Sequence, residues 1–244
     1  MTATHPPAPP PDGRAVETVR DLFVPVPRTY ERINHLLTLG LDRYWRWRAV
    51  GMALRTGGAD YLDVCTGTGE MAAALCCRGG PGIRVSAIDF SVPMLAYARA
   101  KPGSDRIAFY EGDAAALPFP DAAFDAVTIS FALRNLNVTR QRFVRCLTEC
   151  RRVLRRDGRL ITVETTQPPW QPLRAVLHGY ARWVVPRAGA RLSGARPPYA
   201  YLAATIPAFY SAPGLAGILR EAGFSKTRYT YLTGGLVAIH RAWP

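Results

Sequence analysis

From residue 61 onward, short apolar runs alternate with stretches whose apolar residues recur at helical spacing. The runs 61–65, 83–89, 107–110 and 126–131 predict buried strands, and the segments 70–77 and 93–100 between them predict helices. A further helix is predicted over 141–154, with Phe143, Leu147, Cys150 and Leu154 on one face, followed by an Asp157-Gly158 turn and a strand over 159–165. Strands that alternate with helices in this way predict an α/β, doubly wound, mostly parallel sheet. Two regions break the rhythm. Residues 16–52 read as an N-terminal helical cap interrupted at Gly40, and 167–211 as a helical insertion with Leu173, Val176, Leu177, Tyr180 and Val184 opposite Arg174, His178 and Arg182. Ser211 is placed to cap a short helix carrying Leu215, Ile218, Leu219 and Ala222, stopped by Gly223. Two β-rich runs around Gly234-Gly235 then predict an antiparallel hairpin, which brings the sheet to seven strands. The organisation expected is a proline-rich disordered tail, 1–15, and one domain, 16–244.

The stretch "LDVCTGTGE", 62–70, puts glycines directly after a predicted strand. Gly67 and Gly69 allow backbone N–H groups to approach a ligand, and with Ala72 they also satisfy the G-x-G-x-x-G/A pattern of dinucleotide sites. The loop alone does not choose between a dinucleotide and S-adenosylmethionine. Asp89, at the end of the second strand and twenty residues after Gly69, is placed to accept ribose hydroxyls in either case, with Phe90 next to it. Three features favour S-adenosylmethionine. Asp63 precedes the glycines, an acidic lead tolerated by a sulfonium and an ammonium but not by a pyrophosphate. Asp113, with Ala114 beside it, follows the third strand where it can accept from an adenine amino group, and the closing hairpin suits the methyltransferase version of the fold.

Composition narrows the class. The chain has 244 residues, 48% hydrophobic and 20% charged, as expected of a globular enzyme. Its net charge is +13, and all of its 31 basic residues except Lys101 and Lys226 are arginine. The densest group, Arg140, Arg142, Arg145, Arg151, Arg152, Arg155 and Arg156, reads as the solvated face of a helix and not as a nucleic-acid stripe. Attraction to an anionic membrane surface is the next reading. The five cysteines, Cys65, Cys76, Cys77, Cys146 and Cys150, show no metal-binding spacing and read as reduced core residues of a cytoplasmic protein. The N-terminus lacks the apolar segment of a signal peptide, and no apolar run is long enough to span a membrane.

The runs "TYERINHLLTLGLDRYWR", "LPFPDAAFDAVTISFALRN", "CRRVLRRDGRLITVE", "YAYLAATI" and "YLTGGLVAIHRAW" resemble, in order, the ubiquinone/menaquinone biosynthesis C-methyltransferase family. The similarity extends from about Val19 to the C-terminus, and the I-S-F-x-L-R-N run and the hairpin are its most particular parts. It implies a Rossmann-like class I methyltransferase that methylates a ring carbon of a polyprenyl hydroquinone, with the insertion 167–211 as a lid. It further implies that Thr68, Asp89, Asp113, Ala114 and Ser130 contact S-adenosylmethionine, that Arg134 and Asn135 face the acceptor, and that Tyr30 and Asn34 close over it. Glu31 replaces the family's usual Asp and Cys65-Thr66 its small residues, which implies a slightly reshaped methionine pocket, while "ETTQPPWQP" and "LSGARPPYAYL" depart from its lid, which leaves the acceptor open. A natural-product methyltransferase, a non-catalytic S-adenosylmethionine-binding scaffold and an NAD-dependent oxidoreductase are the rival readings.

In this reading Arg134 is a cation for a developing phenolate, and a water held by Tyr30, Arg134 or a nearby carboxylate serves as base. His35 and His240 are expected to be structural, and no metal is expected. The expected partners are a lipophilic quinol, a membrane surface and, with the least to support it, a second copy of the chain.

Overall fold

The computed structural model describes residues 27–194 and 197–244, with side chains from Glu31 onward. The predicted tail, residues 16–26 of the cap and Arg196 of the lid lie outside the described residues. Seven strands form one sheet in the order β3-β2-β1-β4-β5-β7-β6. They are β1 Asp60–Val64, β2 Arg84–Asp89, β3 Ile107–Glu111, β4 Phe124–Ser130, β5 Leu154–Thr165, β6 Lys226–Leu232 and β7 Val237–Trp243. The first five run parallel, and β7 enters antiparallel between β5 and β6. The hairpin therefore exists as the sequence predicts.

The helices are α1 Pro27–Leu37, α2 Leu41–Leu54, α3 Glu70–Gly79, α4 Val92–Arg99, α5 Leu133–Leu136, α6 Arg140–Arg152, α7 Gln171–Gly179, α8 Val185–Ser193, α9 Pro197–Ala208 and α10 Ala212–Glu221. The sheet is covered on both faces, so its central strands read as nearly unbroken apolar runs. On one face Trp45, Ala49, Val50 and Ala53 of α2 and Met71, Ala72 and Leu75 of α3 pack into the core. On the other, Phe143, Cys146, Leu147 and Cys150 of α6 meet Leu215, Ile218 and Leu219 of α10. Gly40, at φ 77°, separates α1 from α2, and the Ser211 hydroxyl accepts the Gly214 N–H at 3.3 Å to start α10.

Four expectations are corrected. The Asp157-Gly158 pair is not a turn before the strand but part of β5, which pairs with β4 at Leu154, slips register and resumes at Arg159. Gly158 permits this irregularity, because a Cβ there would stand 2.9 Å from the Arg155 carbonyl oxygen and 3.0 Å from that of Asp125. The lid is not one regular helix: a π-helical turn, Tyr180–Val184, separates α7 from α8. Its extra residue shifts the apolar stripe, so Val185 is buried at 4% exposure while Val184 faces outward at 43%. The arginines of α6 are not simply solvated. Arg142 pairs with Asp113, Arg145 donates to the Ala115 carbonyl, and Arg152 holds Glu149, Asp121 and the Leu117 and Phe119 carbonyls. Cys76, Cys146 and Cys150 are buried thiols, but Cys77 is exposed and Cys65 only half-buried.

Candidate active site

The strand order reverses between β1 and β4, and at such a switch point the loops leaving the two strands diverge and open a crevice. Here the crevice is a cavity of about 470 Å³. Both strands end on a left-handed non-glycine residue, Cys65 at φ 57° after β1 and Phe131 at φ 55° after β4, and both residues line the cavity. Such conformations are costly for side-chain-bearing residues and concentrate at functional sites.

The glycine loop is held from beneath. Asp89 accepts the Gly67 N–H at 2.7 Å with one carboxylate oxygen and the Ser91 N–H at 2.9 Å with the other. Each oxygen keeps a lone pair for a ligand hydroxyl. Burial raises the Asp89 carboxyl above its usual range, against the lowering effect of those N–H groups. Gly67, at φ 55°, has open space where a Cβ would stand, so a side chain there would occupy the cradle. Gly69, at φ 79°, does not line the cavity, and its Cβ would press on Ala98 at 3.1 Å.

Asp63 lies one layer deeper than the sequence suggests. It takes the Thr66 hydroxyl at 2.6 Å and the Thr128 hydroxyl at 2.7 Å and does not line the cavity. Its complete burial lifts the carboxyl to about 6, partly offset by the two hydroxyls and by Arg46. Thr68, Asp89, Phe90, Asp113, Ala114 and Ser130 all line the cavity. Asp113 uses one oxygen for both the Ala115 N–H, at 2.9 Å, and Arg142, at 2.6 Å.

On the β4 side, Arg134 and Asn135 of α5 line the cavity. Arg134 is buried, and its guanidinium donates to Glu164 Oε1 at 2.7 Å and to the Thr165 hydroxyl. The cation expected beside the acceptor is thus one half of a buried ion pair. Arg134 Nε, Asn135 Oδ1 and Glu164 Oε2 are buried without a partner among the described residues. Beyond this corner the walls are apolar, formed by Leu173, Val176, Leu177 and Tyr180 of the lid with Leu202 and Ile206 of α9. Tyr30 lies on α1, but its side chain is outside the described residues; Asn34, one turn on, lines the cavity.

Sequence reasoning missed a charged cluster where the cap meets the glycine loop. Asp42 and Arg46 of α2, Glu70 at the start of α3 and His35 of α1 are joined by contacts of 2.6 to 3.1 Å. Thr38 donates to the second oxygen of Asp42 at 2.8 Å. Burial works to raise the Asp42 carboxyl, but Arg46, Thr38 and His35 outweigh it and hold the group below its usual range. The Asp42–Arg46 spacing of four residues was the one signal the sequence carried. Lys101 adds a second tie, donating to the Thr68 carbonyl at 2.7 Å and to Glu31 of α1. His240 is structural as expected. It is buried on β7, with Nε2 2.9 Å from the Ala212 carbonyl oxygen.

The sheet order, the glycine loop and the acidic residues ending β2 and following β3 define a class I S-adenosylmethionine-dependent methyltransferase. The same fold recurs in a methyltransferase of Thermotoga maritima, at a TM-score of 0.62 and 18% identity over 92% of this chain and 99% of that one. A methyltransferase of Aquifex aeolicus matches at a TM-score of 0.55 and 18% identity, over 96% and 98% of the two chains. Residues 13–244 match the ubiE/COQ5 methyltransferase family, and the chain belongs to it. This is a family of S-adenosylmethionine-dependent C-methyltransferases of menaquinone and ubiquinone biosynthesis, and the protein is accordingly an S-adenosylmethionine-dependent methyltransferase. The chain is 41% identical to the demethylmenaquinone methyltransferase of Thermus thermophilus, over 90% of this chain and 98% of that one. It is 39% identical to the enzyme of the same name from Deinococcus radiodurans, over 91% of each. It is 37% identical to the ubiquinone/menaquinone biosynthesis C-methyltransferase UbiE of Methylobacterium nodulans, over 92% and 90%.

Proposed function

We propose that the protein methylates a ring carbon of a demethylmenaquinol-type polyprenyl hydroquinone. The observation that carries this reading is the division of one cavity into a polar half around the glycine loop and an apolar half under the lid, with the Arg134–Glu164 pair where they meet. The loop and Asp89 hold the nucleoside end of the cofactor, Asp113 receives its adenine amino group, and Ala114 and Ser130 line its path. When bound, S-adenosylmethionine supplies an electrophilic methyl group on a sulfonium sulfur. The apolar walls grip the ring and the start of the isoprenoid tail and exclude water, which strengthens every electrostatic contact inside. Arg134, fixed by Glu164 and Thr165, turns its remaining N–H groups toward the hydroquinone oxygen as that oxygen gains negative charge on loss of its proton. Asn135 orients the same hydroxyl. Attack of the ring carbon on the methyl carbon would break the methyl–sulfur bond and leave neutral S-adenosylhomocysteine, and transfer of the ring proton to water would return the ring to an aromatic phenolate.

A membrane surface is the partner from which such an acceptor would be drawn. Leu39, Trp170, Val176 and Trp183, each more than half exposed, stand on the cap and lid elements around the apolar half of the cavity. No Asp or Glu occurs between Glu164 and Glu221, while Arg174, Arg182, Arg187 and Arg191 fall in that stretch.

The test of the reaction is single-turnover methyl transfer from saturating S-adenosylmethionine to a demethylmenaquinol analogue. Removing Arg134 alone would strand the buried Glu164 carboxylate at a cost of about 3–5 kcal/mol. The informative variant is therefore Arg134→Met/Glu164→Gln. It is expected to bind S-adenosylhomocysteine within about threefold of wild type yet to turn over about 10²-fold more slowly, as loss of a preorganised donor does. A normal rate in that variant would overturn the role given to Arg134.

A further inference from the structure

The charged cluster at the base of the cap lines the same cavity through Asp42, Arg46 and Glu70 but includes none of the residues assigned above to the nucleoside end of the cofactor or to the acceptor. His35, Asp42 and Glu70 offer ligand atoms within 4.8 Å of one another, a spacing that suits a metal ion. A cation already occupies their midst, however: Arg46 reaches Asp42 Oδ2 at 2.6 Å and Glu70 Oε2 at 3.1 Å. The cluster is built around a guanidinium.

Its position along the sheet says what that guanidinium faces. With adenine assigned to Asp113, after β3, and ribose to Asp89, at the end of β2, the remainder of S-adenosylmethionine would continue across β1 toward β4. Arg46 lines the cavity on that side, with its guanidinium carbon 5.1 Å from the centre of the Phe131 ring that follows β4. The end of the cofactor that arrives there is an amino acid, carrying a carboxylate and an ammonium group. Of the five N–H bonds of Arg46, two serve Asp42 and Glu70, and its Nε is buried with no acceptor. A buried donor without a partner is costly, and a carboxylate is the acceptor that suits it best.

We infer that Arg46 is the receptor for the α-carboxylate of the cofactor's amino-acid end, and that the flanking carboxylate of Glu70 receives its ammonium group. Asp42 acts through Arg46: locked by Thr38 and His35, it fixes the guanidinium plane, which makes it a positioning residue. The cap helix α2, with Glu70 at the end of the glycine stretch, thereby reads the part of the cofactor to which Asp89 and Asp113 are not assigned. The subsite rests on S-adenosylmethionine being the cofactor and is independent of which acceptor the lid admits.

The test is a cycle of two ligands and two proteins, read by calorimetry on the full chain. The ligands are S-adenosylhomocysteine and its analogue lacking only the α-carboxyl group, S-adenosyl-3-thiopropylamine. Wild type is expected to bind the first at least 30-fold more tightly, and Arg46→Met to bind the two within threefold of each other, with the analogue's affinity little changed. Arg46→Lys should recover part of the preference, since a point charge attracts the carboxylate but cannot form a fork. Arg46→Met leaves the buried Asp42 without its cation, so Asp42→Asn/Arg46→Gln is measured beside it, and the same selective loss is expected. Equal weakening of both ligands, or an unchanged preference in the variants that fold, would overturn the subsite. Neither outcome involves an acceptor, so a wrong assignment of the quinol would leave the measurement unaffected.

Discussion

Two buried titratable side chains set opposite demands on the fold. Asp63, beneath the glycine loop, has its carboxyl lifted to about 6 by burial, above the 3.8 of an exposed aspartate. Its contribution to stability is complete below about pH 3.8 and is lost as pH rises through about 6. His240, on β7, is pushed down from 6.5 to about 4, also by burial, because an imidazolium there would have no water and its Nδ1 no partner. Its contribution is complete above about pH 6.5 and is lost as pH falls through about 4. The two slopes oppose each other across that window, so the wild-type profile understates each. His240→Phe removes one of them. Its constant cost is the bond to the Ala212 carbonyl, but the wild-type advantage over it should shrink by about 3 kcal/mol between pH 6.5 and 4, because each tenfold change in proton affinity is worth about 1.4 kcal/mol. Urea denaturation at several pH values measures this, and a pH-independent difference would show that His240 titrates normally. Asp63 was legible in the sequence as an acid near the cofactor, but its depth was not, because the two hydroxyls that bury it come from Thr66 and from Thr128 on a neighbouring strand.

Among the elements, the lid shows most clearly where periodicity misleads. Leu173, Val176, Leu177 and Tyr180 fall on one face of a regular helix and all line the cavity, but continuing the stripe selects Val184, whereas the π turn delivers Ala181 and Val185. The one local mark in "GYARWVVPR" is Pro186, whose missing N–H interrupts the regular ladder without fixing the phase of the extra residue. It is selected by tertiary contacts, Tyr180 donating to the Leu37 carbonyl at 2.6 Å and Val185 packing with Ile33, Tyr199 and Leu202. The phase shift is testable with one charge placed at either position. Val185→Asp should destabilise by about 3 kcal/mol or more as an unpaired buried charge, and Val184→Asp by no more than about 0.5 kcal/mol. Equal losses in urea denaturation would mean that the helix is regular. The strands, by contrast, were legible to within a residue or two apart from the start of β5, since burial on both faces writes each as an apolar run and glycine or proline marks most ends. The same distinction holds at the site. Gly67, Asp89 and Asp113 follow or end strands and were named as candidates that the structure brings to one cavity, whereas Glu164 and Arg46 have partners 30 and 24 residues away and were not named.

The whole molecule combines a strong positive charge with exposed apolar side chains on the cap and lid, and the two together give the membrane reading a quantitative form. Among the described residues no single helix is long and apolar enough to cross a bilayer, and the pair α9 and α10, apolar enough together, meets at 88°. Contact would instead be peripheral, with arginines drawn to anionic headgroups and Trp170 and Trp183 seated at the interface. Attraction of this kind acts within a screening length of about 10 Å at 0.1 M salt, so it should fade as salt rises, while the tryptophan contribution should not. Vesicles of phosphatidylglycerol and of phosphatidylcholine separate the two. Wild type is expected to co-sediment with the anionic vesicles, to release from them in about 0.5 M salt, and to bind the neutral ones weakly. Trp170→Ser/Trp183→Ser should lower binding to both vesicle types while leaving methyl transfer to a water-soluble quinol analogue unchanged, because neither tryptophan lines the cavity. If wild type binds neutral and anionic vesicles equally, the +13 charge has no part in docking; if the double variant binds as wild type does, the exposed tryptophans do not meet the lipid.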